Sequence, residues 1–310
     1  LILKELIKTI SAMKNKKIIF IPILGIILAG SLFVSCENDE TAAPKGSVLS
    51  INRAEVLTRN SKDTFAQGDK IGIFVLNETG EKYNDCVCSW NNLAILLENS
   101  WKVDKNIYLN EEDGTMQAYY PYNAEVDNPT KIQIESATQT DYLYSRAITV
   151  NTENPVVTLQ MQHALSLLKL VIKKDSYQGE GNVSGVSLQG INTEGLLDIC
   201  TGEIFINKSG NESYKGDFIL TDAPLSIGII TLPQIVTNTT ILLVIDGERY
   251  GYKLPEGKWL QGKETTYTLG INTAEKKLFE ISNSSIDEWG AGGSYEGDLV
   301  PGIDIGTEID

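Results

Sequence analysis

The chain has 310 residues, 42% of them hydrophobic, and its 41 acidic against 26 basic side chains give a formal net charge of −15. That length supports one large or two ordinary domains with sizeable cores. The acidic balance repels phosphate backbones and anionic lipid, which argues against nucleic acid as a partner.

The first predicted element is an export leader. Lys14, Lys16 and Lys17 precede an apolar run over residues 18–34, broken only by Pro22, Gly25, Gly30 and Ser31. Positive, then apolar, then small is the order of a secretory signal. The run ends in Phe33-Val34-Ser35-Cys36, which resembles a bacterial lipobox; that resemblance implies a lipidated Cys36 as the first mature residue. Glu37, Asp39 and Glu40 follow, similar to the signal that sends lipoproteins to the cell face in some Gram-negative anaerobes. The alternative is a plain transmembrane anchor, since the run approaches spanning length. Residues 1–12 stand ahead of Met13 and read as a start-site artefact. Residues 1–35 are therefore assigned to the signal and 36–46 to an acidic linker.

After Pro44 the pattern is that of strands. Asp69-Lys-Ile-Gly-Ile-Phe-Val-Leu76 begins with alternation and ends nearly all apolar. Val156-Val-Thr-Leu-Gln-Met161 and Leu165-Ser-Leu-Leu-Lys-Leu-Val-Ile172 are rich in Leu and β-branched residues. Thr239-Thr-Ile-Leu-Leu-Val-Ile245 runs through Asp246-Gly247 into Glu248-Arg-Tyr-Gly-Tyr-Lys-Leu254, a strong hairpin signal. In residues 264–272, Tyr267, Leu269 and Ile271 share one face. Residues 175–184 read as a loop. Helix is predicted only over residues 89–101, with Ser89 as cap and Leu93, Ile95, Leu96, Leu97 and Trp101 as its apolar side. Short strands divided by turn residues indicate sandwiches rather than βαβ units. The turn-rich Asn151-Thr-Glu-Asn-Pro155 suggests a boundary, giving domains over 47–155 and 156–289 and a flexible acidic tail over 290–310.

Reaction chemistry is sparse. His163, the single histidine, lies between two apolar runs and reads as a core or turn residue rather than a triad base. No cofactor fingerprint is present: the chain has no Gly-x-Ser-x-Gly, P-loop or dinucleotide motif. Asn110-Glu-Glu-Asp-Gly114 lacks calcium-loop spacing and reads as a solvated turn. Cys86, Cys88 and Cys200 are an odd set, read as solitary or buried thiols, and no metal site is expected. Tyr119, Tyr120 and Tyr122 form either a sugar-stacking platform or a core edge strand ending at Pro121.

Six segments follow one another in a characteristic order. They are Phe65-Ala-Gln-Gly-Asp-Lys-Ile-Gly-Ile-Phe74, Ala118-Tyr-Tyr-Pro-Tyr122, Thr140-Asp-Tyr-Leu-Tyr144, Gln162-His-Ala-Leu-Ser-Leu-Leu168, Trp259-Leu-Gln-Gly-Lys-Glu-Thr-Thr-Tyr-Thr-Leu-Gly-Ile-Asn272 and Ile286-Asp-Glu-Trp289. With the lipoprotein start, this order resembles the fimbrillin family, the pilins and accessory subunits of type V pili. The resemblance implies an all-β chain of two tandem transthyretin-like β-sandwich domains, not an enzyme. It also implies a precursor whose first strand a trypsin-like protease removes, opening a groove for a neighbour's strand.

Here the removable strand would span residues 48–57, with Val48, Leu49, Ile51, Val56 and Leu57 as its apolar members. Arg59 is the preferred cleavage position, with Arg53 and Lys62 as alternatives; the other reading makes Arg59 a solvated loop residue of an uncut anchor subunit. The implied partners are other fimbrial subunits, the outer-membrane lipid anchor, and host or bacterial surface ligands. The implied location is the cell outer membrane, surface-exposed and lipid-anchored, or the fimbrium after assembly. A surface glycan-binding lipoprotein is the rival reading. In the tail, residues 299–305 offer a short apolar segment interrupted by Pro301-Gly302, readable as a docking strand or as disorder.

Overall fold

A computed structural model describes residues 46–57, 65–174, 176–289 and 299–302. In its first half the strands are β1 (Ser47–Val48), β2 (Ser50–Val56), β3 (Lys70–Leu76), β4 (Asn92–Leu97), β5 (Ser100–Val103), β6 (Tyr108–Leu109), β7 (Gly114–Tyr120), β8 (Ile132–Glu135), β9 (Leu143–Ser145), β10 (Ile148–Val150) and β11 (Val156–His163). The second half holds β12 (Ser166–Ile172), β13 (Asn182–Leu197), β14 (Ile204–Ile219), β15 (Leu225–Thr231), β16 (Gln234–Val236), β17 (Thr240–Ile245), β18 (Glu248–Lys253), β19 (Gly257–Trp259), β20 (Lys263–Asn272), β21 (Lys277–Glu288) and β22 (Val300–Pro301). The chain is all-β, as its strand pattern indicates.

Two large sheets organise these strands. The first runs β2-β11-β9-β7-β3-β4-β5, with β10 also on β7; the second runs β15-β12-β20-β21-β18-β17-β13-β14-β22, with β8 also on β13. Thus β11, which opens the second half of the predicted division, pairs in the first sheet, and the chain crosses to the second at Ala164-Leu165.

The nearly continuous apolar text of β3 has a physical cause: both of its faces are covered. Ile71, Ile73 and Val75 enter the core of the first sheet. Phe74 and Leu76 enter a separate core on the opposite face, shared with Leu165 and Leu167 at the start of the second sheet. A Cβ on Gly72 would lie 2.1 Å from the Tyr119 ring, so only glycine lets β3 and β7 approach this closely. The largest core belongs to the second sheet and includes Leu168, Leu170, Leu243, Trp259, Tyr267 and Leu269.

Left-handed residues mark several turns, and two of these close tight hairpins. The predicted hairpin between β17 and β18 turns at Asp246 (φ 52°) and Gly247 (φ 81°), the double positive φ of a type I′ turn. A second such turn, Glu98 (φ 50°) and Asn99 (φ 61°), joins β4 to β5. It corrects the predicted helix over residues 89–101. There the apolar block is a strand hairpin, with Asn92 and Ala94 buried on alternate positions and Trp101 buried across it. Only the short 3₁₀ turns Tyr83–Asp85 and Val87–Ser89 precede it.

The cysteine reading is also corrected. Cys86 and Cys88 are joined in a disulfide, with Cα atoms 5.1 Å apart, because the intervening turn brings two side chains together that an extended strand would merely align. Cys200 is free.

Asp246 does more than turn a hairpin. Its carboxylate accepts hydrogen bonds from the Tyr177 hydroxyl (2.6 Å), the Gly181 amide (2.9 Å) and the Asn182 amide (2.8 Å), pinning the 177–182 loop. The Tyr177 bond, then that from Gly181, hold the carboxyl below its ordinary 3.8. A depressed folded pKa contributes stability above the unfolded value, lost as pH falls through the folded one. Asp246→Asn should therefore be less stable than wild type at pH 7. The gap should shrink as pH drops below about 3.8, measurable by urea denaturation at stepped pH. A gap independent of pH would count against this role.

Candidate functional site: the edge strand and the seam

The first sheet ends in β2, whose ladder runs on one side only, parallel to β11 from Ser50↔Val156 to Val56↔Met161. A register shift opposite Val157/Thr158 inserts an extra residue in β2 at Asn52. Inward positions are consequently Leu49 and Ile51 before the bulge and Ala54 and Val56 after it, while Arg53 and Glu55 point out and pair at 2.7 Å. Leu49 (2% exposed) and Ile51 (5%) are full members of the first core. Three further backbone bonds hold the strand: Leu49 N–H to Ile107 O, Ser50 N–H to Pro155 O and Leu57 N–H to Met161 O. Val48 and Leu57 are exposed.

Of the predicted site residues, then, Leu49, Ile51 and Val56 line one apolar face of β2, whereas Val48 and Leu57 mark its ends. Cys36, Arg59 and Lys62 lie outside the described residues. No described helix is long and apolar enough to cross a membrane; the apolar run over 18–34 is also outside the described residues.

At the far edge of the second sheet the tail docks. In β22, Val300 and Pro301 pair antiparallel with Lys215 and Tyr214 of β14, and Gly302 N–H donates to Ser213 O at 2.7 Å. Leu299 packs against the large core. Residues 303–305 of the predicted segment fall outside the described residues.

The quoted sequence segments converge on the seam where the sheets meet. His163, 5% exposed, donates from Nδ1 to Asp141 Oδ1 at 2.9 Å, a bond that fixes its tautomer. Its ring stacks on Trp289 with centroids 4.1 Å apart and planes 6° from parallel. Trp289 N–H bonds Gly262 O, Gly262 N–H bonds Leu165 O, Ala164 N–H bonds Tyr142 O, and the Ser166 hydroxyl donates to Leu260 O. Lys263 pairs with Glu288. Four of the six segments thus clasp one junction, which explains their order without any reaction.

The tyrosine cluster is not an open platform. Tyr119 is 1% exposed, and its hydroxyl lies within hydrogen-bond distance of two acceptors, Asn91 Oδ1 (2.8 Å) and Asn123 O (2.9 Å), with one proton to give; burial raises its pKa to about 12. Tyr120 and Tyr122 are half-buried, and Tyr120 meets Phe65 edge-on at 5.5 Å. Their strand β7 lies inside the sheet between β9 and β3, not at an edge, and stops at Pro121 as expected. Asn110 is spent on the Tyr83 hydroxyl and the Glu112 amide. The Cys200 thiol donates to Gln117 Oε1 at 3.0 Å, and burial followed by nearby Asp198 pushes it up to about 11, leaving little thiolate.

A family profile described as fimbrillin-like matches residues 58–289. The chain belongs to the fimbrillin-like family. Solved structures agree on the fold. A putative cell adhesion protein from Bacteroides ovatus superposes with a TM-score of 0.61 at 20% identity, covering 79% of this chain and 98% of that one. Another from Bacteroides uniformis gives 0.60 at 18%, covering 78% and 98%. A fimbrial protein from Bacteroides vulgatus gives 0.55 at 15%, covering 78% and 99%. No curated protein sequence matches the chain. The geometry that stands out in this fimbrillin-like protein is an edge strand with one buried apolar face and a tail seated on another sheet edge.

Proposed function

We propose that this protein is a structural subunit or an accessory or anchor protein of a cell-surface type V fimbria, assembling by β-strand complementation and serving adhesion, not catalysis. The observation that carries this reading is the edge strand around β2: one ladder to β11, the buried apolar side chains of Leu49 just before it and Ile51 within it, and a link containing Arg59 soon after it. Loss of such a strand leaves β11 with unpaired backbone groups and the first core with empty side-chain pockets, which an extended segment of a neighbour satisfies. Membership of the fimbrillin-like family, and relatives named as fimbrial or cell adhesion proteins, support it.

Two domains, divided where the chain crosses at Ala164-Leu165, would let one body be opened while the other holds. Lipidation at Cys36 would hold the precursor to the outer membrane, facing outward, with other fimbrial subunits and surface ligands as partners. The rival, a glycan-binding lipoprotein using Tyr119, Tyr120 and Tyr122, has lost its first residue to the core.

N-terminal sequencing of the surface-assembled protein tests the proposal. A terminus at Asn60 places the cut after Arg59, and Arg59→Ala should then abolish incorporation into filaments while leaving the fold intact. A terminus still at lipidated Cys36 eliminates strand removal and leaves the anchor role. Filaments unchanged on deletion of the gene would end the fimbrial reading altogether.

A further inference from the structure

A recess of about 300 Å³ opens at the seam, its lining made by Leu57, Tyr144, Arg146, Gln162, Gln261 and Lys263 together with His163 and Glu288. That volume is at the small end of ligand clefts, which run from about 300 to 1,000 Å³, and suits one sugar ring. Its walls come from several elements. Tyr144 on β9 and Gln162 on β11 are direct cross-strand partners, so both side chains rise from the same face. Leu57, at the end of β2, continues that row, its amide bonded to Met161 O. Gln261 enters from the turn before β20, its Nε2 anchored on Gly202 O at 3.0 Å, and Lys263 is the first residue of β20.

The polar groups here are unusually free. Among the described residues, the Arg146 guanidinium forms no ion pair, and neither the Gln162 amide nor the Tyr144 hydroxyl has a hydrogen-bond partner. His163 Nε2 is fully buried without one. The two carboxylates nearby are committed, Glu288 to Lys263 and Asp141 to His163. On a chain of net charge −15, the uncompensated cation at this spot is Arg146.

We propose that this recess binds a hexuronic acid residue of a surface glycan. Arg146 would take the carboxylate through its planar fork. Gln162 and the free oxygen of Gln261 would meet ring hydroxyls, and Tyr144 with Leu57 would cover the apolar face of the sugar. In the uncut chain a peptide is disfavoured as occupant because β11 is paired on both sides, by β2 and β9, leaving no ladder for an extended chain to join. The site as described belongs to the uncut chain; strand removal would take Leu57 from its apolar wall and leave Tyr144, Arg146, Gln162 and Gln261 in place.

Calorimetric titration of the purified protein with D-glucuronic and D-galacturonic acids tests the proposal, with D-glucose, D-galactose and acetate as controls. At least one acid should bind saturably with a Kd on the order of 1 mM. Its neutral counterpart and acetate should bind at least roughly tenfold more weakly, because they lack either the charge or the ring. Arg146→Gln should weaken the acid about tenfold or more without moving the thermal midpoint, and Gln162→Ala should weaken it several-fold. Saturation-transfer NMR on the same variants reports contact directly where the heat is small. The proposal is overturned by no saturable binding of either acid up to ~50 mM, by acetate binding equally well, or by an unaffected Arg146→Gln. An acidic peptide that displaces the sugar more effectively than acetate does would also overturn it, in favour of a protein ligand. None of these results bears on filament incorporation, which Arg146→Gln should leave unchanged.

Discussion

Replacing Ile51 with aspartate should strip the first sheet of its edge strand while leaving the second sheet folded. Ile51 is 5% exposed and sits in the core beside Leu49, so the substitution both removes an apolar side chain and places a charge where no partner waits. Burying one such side chain is worth about 1.5–3 kcal/mol, and an unpaired buried charge would cost more than the strand can supply. An edge strand has an escape that a central one lacks: it can detach. The cost is then capped near the free energy of docking β2, and we expect a loss of about 3 kcal/mol.

Hydrogen exchange should show this as lost protection along β2 and its partner groups on β11, with β12 and β20 unaffected. A wild-type peptide spanning residues 46–57, added in excess, should restore protection, since the slot remains and only its occupant is faulty. Arg53→Ala on the exposed side should change stability by no more than about 0.5 kcal/mol. Global unfolding in place of local release would show that β2 is integral to the sheet and no removable plug, and a peptide without effect would deny the slot a life of its own.

Much of this architecture was legible because it obeys simple periodicity. Residues 69–76, 156–161 and 239–245 announce strands by composition, and Asp246-Gly247 announces its hairpin by the positive φ both residues adopt. The helix predicted over 89–101 failed because Leu93, Ile95, Leu96 and Leu97 form a block without clear period. The turn that divides it uses Glu98-Asn99, and glutamate gives no warning of a left-handed conformation. The sixteen-residue strand β14 was invisible for a different reason. Its first half opens with Ile204-Phe205-Ile206 but continues through exposed Asn207, Lys208, Ser209 and Asn211 without alternation, and it is held by backbone bonds to β13.

The site was legible in part and for related reasons. Alternation in residues 48–57 suggests a strand with an apolar side, and Leu49 and Ile51 are indeed buried. Nothing local specifies the parallel partner 105 residues along, or the bulge at Asn52 that resets which residues point inward. The Cys86–Cys88 bridge required knowing that the chain turns there. The junction around His163 required bringing Asp141, Gly262 and Trp289 together from three distant segments, a feature of topology rather than of any sequence window.

That junction yields the other large expected effect. Trp289→Ala should cost about 3–5 kcal/mol, the usual range for truncating a buried aromatic, because Trp289 is 8% exposed and closes the core between the sheets. The core it closes takes Phe74 and Tyr119 from the first sheet and Leu165, Leu167 and Leu197 from the second. Loosening it should weaken the coupling between sheets as well as overall stability, so a single unfolding transition should broaden or split. Trp289→Phe keeps an aromatic face against the imidazole and should recover most of the loss. His163 is the only histidine in the chain, so its ring protons report on the seam without ambiguity. In the wild type they lie over the indole face at 4.1 Å and should be shifted upfield; in Trp289→Ala they should return toward ordinary positions, and in Trp289→Phe only partly. Ring resonances that stay put in the alanine variant, or a loss under about 1 kcal/mol, would mean that the sheets are held together elsewhere and that the stack is incidental to the fold.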